Sequence, residues 1–423
     1  KETRSLLRNY CIERLADCHE AFADVLLEQV VYVVANTPAK KSEVTPAHRV
    51  DSKFEEGVPF SAQYLTEDFL PMYLTLQTTI LYDHVWAVSA RLDSVAKLWE
   101  GPGYNQYLSD DPAGLPCFKG DHVARYEILN LAYLPQKMAP ADIEMYRKEK
   151  GILQRIVAHV TKPFPRIIIM ASIDDTGSLT VNTLTDFVGQ QVSTAFLVAI
   201  INSRFTSWYV YDFIFNRAVR SMDLYPAYVG RIPIRRINFT TAESERKQLL
   251  EQGKKLYQEY LQSQDWDKVL SFVAQCLPQK ADGTPDTENE QSDIMDDLLA
   301  FLAEEMTRLN KDKQSKIKGF LTWLEKEILK GSVENQKNKT KIKGFHESSF
   351  EDLLDILKKN KTVPDPCPSN TRDTISGEFS AAMNVVVPIK ARIKATDNLI
   401  DQIVYRLYGL TDDEITIVEG KGL

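Results

Sequence analysis

No apolar run in the 423 residues is long enough to cross a bilayer; stretches such as Phe196–Ile201 fall far short of the roughly 20 residues a membrane helix needs. Cysteine is scarce. Cys11, Cys18, Cys117, Cys276 and Cys367 form no CxxC pair and no even framework, which excludes a disulfide scaffold and points to free thiols in a reducing cytoplasm. The six histidines are scattered. His19 stands beside Cys18, but no second pair follows at ligand spacing, so no metal is expected. GxGxxG, GxxxxGK(S/T) and HExxH are all missing, which removes the common dinucleotide, nucleoside-triphosphate and zinc-peptidase signatures. Asp265-Trp266-Asp267-Lys268 has the acid-x-Lys order of a nuclease fragment, but such triplets are frequent on charged helices. No residue is therefore assigned a catalytic role. The chain opens on Lys1 without a signal-peptide pattern and is read as a piece of a longer protein.

What is present is an ordinary soluble composition, 43% hydrophobic and 26% charged, with a net charge of −8. An acidic average argues against nucleic acid, yet the charge is unevenly distributed. Between 147 and 166 six basic residues face one acid, and between 200 and 240 six arginines face two acids. The span Asp282–Asp297 has seven acids and no base. Phosphate contact requires a local basic patch rather than a basic whole, so the first two segments are candidate DNA-facing surfaces. The competing reading is that they are solvated faces.

The pattern along the chain predicts a mixed α+β protein. Residues 2–16 read as a short helix and Val25–Val34 as a buried strand, together the end of an α/β sheet (1–36). Residues 37–59 are polar, with Pro38, Pro46 and Pro59, and read as a linker. A domain of short strands and breakers follows over 60–240. It is expected to hold a helix from Ser89 to Trp99, a strand over Arg166–Ala171, a turn at Asp175–Ser178 and a buried helix over Thr194–Phe213 that is irregular at Asn202-Ser203. From 241 to 423 the periodicity is helical: 242–262, 265–277, a long helix from Asp293, a Lys-rich stretch over Lys311–Lys343, and a last long helix stopped by Gly409. Thr411 and Glu414 have capping-box spacing.

Several stretches, in this order, resemble the C-terminal half of TaqI-like adenine methyltransferases, most closely the single-chain type IIG restriction-modification enzymes. They are Glu20-Ala21-Phe22-Ala23; Leu115-Pro116-Cys117-Phe118-Lys119-Gly120 with Arg125-Tyr126; Lys162-Pro163 before Arg166; Leu197–Arg204 leading to Gly230-Arg231-Ile232-Pro233-Ile234; and the tail from Leu399 to Thr411, continuing to Glu419-Gly420. The resemblance implies a truncated Rossmann-like methyltransferase end, a target-recognition domain and a helical C-terminal region. It implies double-stranded DNA as partner, with S-adenosylmethionine as cofactor of the parent enzyme and the missing methyltransferase portion supplied in cis or in trans. It implies methylation of adenine N6, with cleavage of unmethylated DNA as a further activity of the parent. Phe22 would stack on the flipped-out adenine, recovering stacking lost on extrusion; the bland alternative is a core phenylalanine. Lys119, Arg125, Arg155, Lys162, Arg166, Arg217, Arg220 and Arg231 are the DNA-binding candidates. The family's Asn/Asp-Pro-Pro-Tyr/Phe loop and its glycine-rich cofactor motif are not in these residues. Two other readings stay open: a stand-alone specificity subunit docking on a separate methyltransferase, and a helical interaction protein with no DNA role.

Overall fold

The computed structural model describes residues 6, 9–18, 29–38, 43–51, 53–66, 70–218 and 221–421. The first of its small sheets is built from β1 (Tyr10–Asp17), β2 (Val30–Pro38), β3 (Glu43–Val50) and β4 (Lys53–Glu56), in the order β2-β1-β3-β4, with the short strand Phe60–Ser61 also paired to β3. β1 runs antiparallel to β2 and parallel to β3, and β3 is antiparallel to β4. This corrects three expectations. Residues 10–17 form a strand where a helix was expected. Their local pattern permits a helix, but Ile12 and Leu15 are buried and β1 is hydrogen-bonded on both sides, so long-range pairing overrides propensity. The apolar strand is not buried: Val30, Val31, Tyr32 and Val33 are all exposed at the sheet edge. The expected linker holds β3 and β4, and Val44 and Ala47 of β3 are buried.

Within 60–240 the main sheet is antiparallel throughout, in the order Ala171–Asp174, Lys150–Gln154, Leu184–Gly189, Ala96–Glu100. A second sheet joins Ala132–Leu134, Leu115–Phe118 and Leu179–Thr180. The helix expected over 89–99 is instead a strand (Ser89–Arg91), one helical turn (Leu92–Val95) and a second strand. Leu92 and Val95 face the core as the pattern requires, but Ala96–Glu100 is drawn into the sheet by pairing with Leu184–Gly189. The strand expected at Arg166 joins the main ladder only from Ala171 onward. Gly151 lies opposite Phe187, and a Cβ at that position would sit 2.1 Å from the ring, so only glycine lets the phenylalanine cross its partner strand.

The buried helix Thr194–Asn202 follows the sheet. Ser193 caps its start by accepting the Phe196 N–H at 3.0 Å. Ser203 begins a second helix, Arg204–Tyr209, so the break falls where the sequence placed it. The helices Glu243–Ser263 and Asp267–Cys276, the first half of the 33-residue helix Ser292–Leu324 and the end of the 39-residue helix Ser369–Leu407 pack on this unit and share its core. The helical region is therefore not one separate body. Only its distal part, from Ile317 to Val386, has a core of its own. Gly409 follows the last long helix with φ +69°, and Thr411 and Glu414 form the expected capping box on Asp412–Val418.

Candidate nucleic-acid interface

The basic residues singled out in the sequence separate into two groups. Arg155, at the bend between the strands Lys150–Gln154 and Ile156–Val157, is mostly buried. Its Nε and Nη2 donate to the two oxygens of Asp223 at 2.8 and 2.7 Å, and its Nη1 meets Glu100 and the Asn182 carbonyl. The Asp223 hydrogen bonds outweigh burial and hold its pKa above the ordinary arginine value. Arg217 forms the same kind of fork with Asp212, at 3.1 and 3.0 Å, and lies over the Tyr73 ring. Burial pushes Asp212 upward while Arg217 pulls it back. Arg125 donates to Asp397 at 2.6 Å and to the Asn202 carbonyl at 2.8 Å, tying its own segment and the buried helix Thr194–Asn202 to the last long helix. These three of the DNA-binding candidates are the ones the fold turns onto its own acidic side chains. Their guanidiniums are already matched by internal carboxylates.

The second group faces outward. Lys162 is exposed. Lys119 is partly exposed and pairs with the exposed Asp121, at 3.0 Å. Arg231 rests over the Tyr228 ring and donates to the Ala227 carbonyl at 3.1 Å. Arg166 is the most informative. It donates to the Lys162 carbonyl at 2.6 Å and the Phe164 carbonyl at 3.2 Å, and its guanidinium lies 5.2 Å over the Phe164 ring. No carboxylate lies within ion-pair distance of it among the described residues. Phe22 and Arg220 lie outside the described residues.

Arg166 and Phe164 form one wall of a cleft of about 550 Å3; Trp208 and Tyr211 and the tail around Glu419-Gly420 form the others. The tail is anchored by residues the sequence reading passed over. Asp401 accepts the Arg204 backbone N–H at 2.9 Å and its carboxylate lies 3.0 Å from Arg204 Nε. Asp397 and Asp401 are four residues apart and so share a helix face. An acid set among Leu399, Ile400, Ile403 and Val404 was the available signal. Burial pushes the Asp401 carboxyl up to about 7, and Asp397 adds to the rise.

That shift makes a signed prediction. The folded pKa lies above the unfolded value of about 3.9, so the folded state holds the extra proton between them. The associated stability is complete below the unfolded pKa and is lost as pH rises toward 7. Relative to Asp401→Asn, the wild-type chain should lose about 1.4 kcal/mol per pH unit across roughly pH 5–7, then level off. Urea unfolding of both proteins at several pH values measures this. Parallel pH profiles would mean that the carboxyl is already ionised in the folded chain.

The fold and these contacts define a mixed α+β domain with an arginine-bearing cleft, locked to a helical region by ion pairs. Residues 115–234 match the family model of a TaqI-like C-terminal specificity domain. Residues 289–404 match a domain of unknown function, DUF8810. No match was found among curated proteins. Among solved structures, the type IIG restriction endonuclease BpuSI is similar over 71% of this chain and 45% of that one, at 11% identity and a TM-score of 0.28. The present chain thus spans less than half of that protein's length.

Proposed function

We propose that this chain reads the target sequence of duplex DNA within a type IIG-like restriction-modification enzyme that methylates adenine N6 and cuts unmethylated DNA. The observation that carries the reading is the specificity domain at residues 115–234. Arg166 supports it: a guanidinium held over the Phe164 ring, with no carboxylate at ion-pair distance among the described residues, has N–H edges available for guanine or phosphate. Arg125, Arg155 and Arg217 act one step back. They fix the strands and helices that present the outward-facing Lys119, Lys162, Arg166 and Arg231.

Methyl transfer itself belongs to the portion supplied in cis or in trans. The 423 residues contain neither the catalytic loop nor the glycine-rich motif that S-adenosylmethionine requires, so no residue here is assigned to that cofactor. Phe22 is proposed to stack on the extrahelical adenine, on the strength of the resemblance alone.

The test is Arg166→Ala in DNA binding. If Arg166 contacts phosphate, the salt slope should fall by roughly one for all sequences alike. If it reads a base, affinity should drop by about 1–3 kcal/mol with loss of preference at a single position. Unchanged affinity, salt slope and sequence preference would remove Arg166 from the interface.

A further inference from the structure

We infer that the distal helical module, residues 311–390, is a second duplex-DNA surface that grips phosphates away from the specificity domain; the inference rests on the DNA-reading role proposed above. Three observations carry it. First, the module is a folded unit with its own core, in which Phe320 and Phe345 pack at 4.2 Å between ring centres. A rigid core can hold surface charges in fixed positions. Second, the charge is concentrated. Residues 311–343 hold ten lysines against four acids in a chain whose net charge is −8. Third, part of that charge is not neutralised internally. Glu334 holds Lys339 and Lys343. Lys337, Lys359 and Lys361 are exposed, with no carboxylate at ion-pair distance among the described residues. They lie on one rim, because Asn360 donates its side-chain N–H to the Lys337 carbonyl at 2.7 Å and so joins the two segments.

The surface suits phosphate better than a protein partner. Lysines act as separate point charges that track a backbone without reading sequence. Protein interfaces are anchored by buried aromatic or other large apolar residues. Among the described residues of the module, the exposed large apolar side chains are Val385 and Val387 on the last long helix, and none is exposed from 311 to 361, where the lysines lie.

The experiment uses the full chain and a fluorescent duplex that the wild-type protein selects from a random pool, with a scrambled duplex beside it, across a KCl series. The triple variant Lys337→Gln, Lys359→Gln, Lys361→Gln should lower the slope of log K against log salt by about two to three, at about 0.9 per phosphate contact, on both duplexes. Its preference for the selected duplex should be unchanged. In a second measurement, the selected duplex should protect these three lysines of the wild-type chain from amine acetylation, read by mass spectrometry, which needs no variant to fold. If the triple variant keeps the wild-type slope and the lysines acetylate equally with and without DNA, while Arg166→Ala still loses affinity or preference, the module is not a DNA surface although the specificity reading stands. If the wild-type chain binds no duplex but is retained on heparin or anionic vesicles, both readings fail together.

Discussion

Replacing Lys150 by Met is expected to cost the specificity domain about 3–5 kcal/mol, the usual result of leaving one partner of a buried ion pair uncompensated. Lys150 is fully buried at the start of the central strand Lys150–Gln154, where it pairs with Asp174 at the end of the neighbouring strand. Its ammonium pairs with Asp174 and donates to the carbonyls of Tyr146 at 2.9 Å and Ser178 at 2.7 Å. Asp174 also accepts the N–H groups of Thr176 and Ser178, at 2.8 and 3.1 Å, and so shapes the turn at Gly177. A methionine has similar length but offers no donor, so the Asp174 charge and two carbonyls lose their cation together. Against a total stability of about 5–15 kcal/mol this is a large fraction. Sequence-specific DNA binding at elevated temperature should fail before any surface contact is altered. Asp174→Asn should be comparably harmful, because it strands the ammonium instead. The double variant should lose clearly less than the sum of the two, since the repulsive remainder of each single change is removed by the other. Thermal and urea unfolding of the four proteins measure the coupling. A Lys150→Met chain that unfolds with the wild type would show that this pair contributes nothing net.

The second large effect is expected at Glu290. Arg235, at the end of the strand Pro233–Arg235, is only 2% exposed. Its Nη2 meets Glu290 and its Nε donates to the Leu407 carbonyl at 3.0 Å, so one guanidinium joins the end of the specificity unit, the acidic loop before Ser292 and the end of the last long helix. Burial pushes the Arg235 pKa down, against the pull of Glu290, yet arginine does not give up its proton in a protein. Glu290→Ala therefore leaves a buried cation facing only carbonyls, at a cost of about 3–5 kcal/mol. Glu290→Gln keeps an acceptor and should lose less. Since the residue sits at a seam, the Ala variant should also become sensitive to limited proteolysis between 277 and 291, where no helix or strand protects the chain. Wild-type stability together with an uncleaved 277–291 segment would show that the seam is held by apolar packing alone.

The sequence by itself determined what rests on near neighbours. The α+β class, the helices Glu243–Ser263 and Asp267–Cys276, the break at Asn202-Ser203, the stop at Gly409 and the capping box at Thr411 all depend on side chains within about one helical turn of the backbone they act on. Residues 10–17, 43–50, 53–56 and 96–100 became strands only because partners elsewhere in the chain supplied the other half of each ladder. The candidate site divided in the same way. Composition located the basic segments, but an arginine's sequence neighbours do not reveal whether its guanidinium will meet a phosphate or a carboxylate. Arg155 finds Asp223 and Arg125 finds Asp397, each far away in the chain, while Arg166 stays on Phe164. That choice was made by tertiary packing, because Coulomb attraction acts over ångströms in space and is indifferent to separation along the chain.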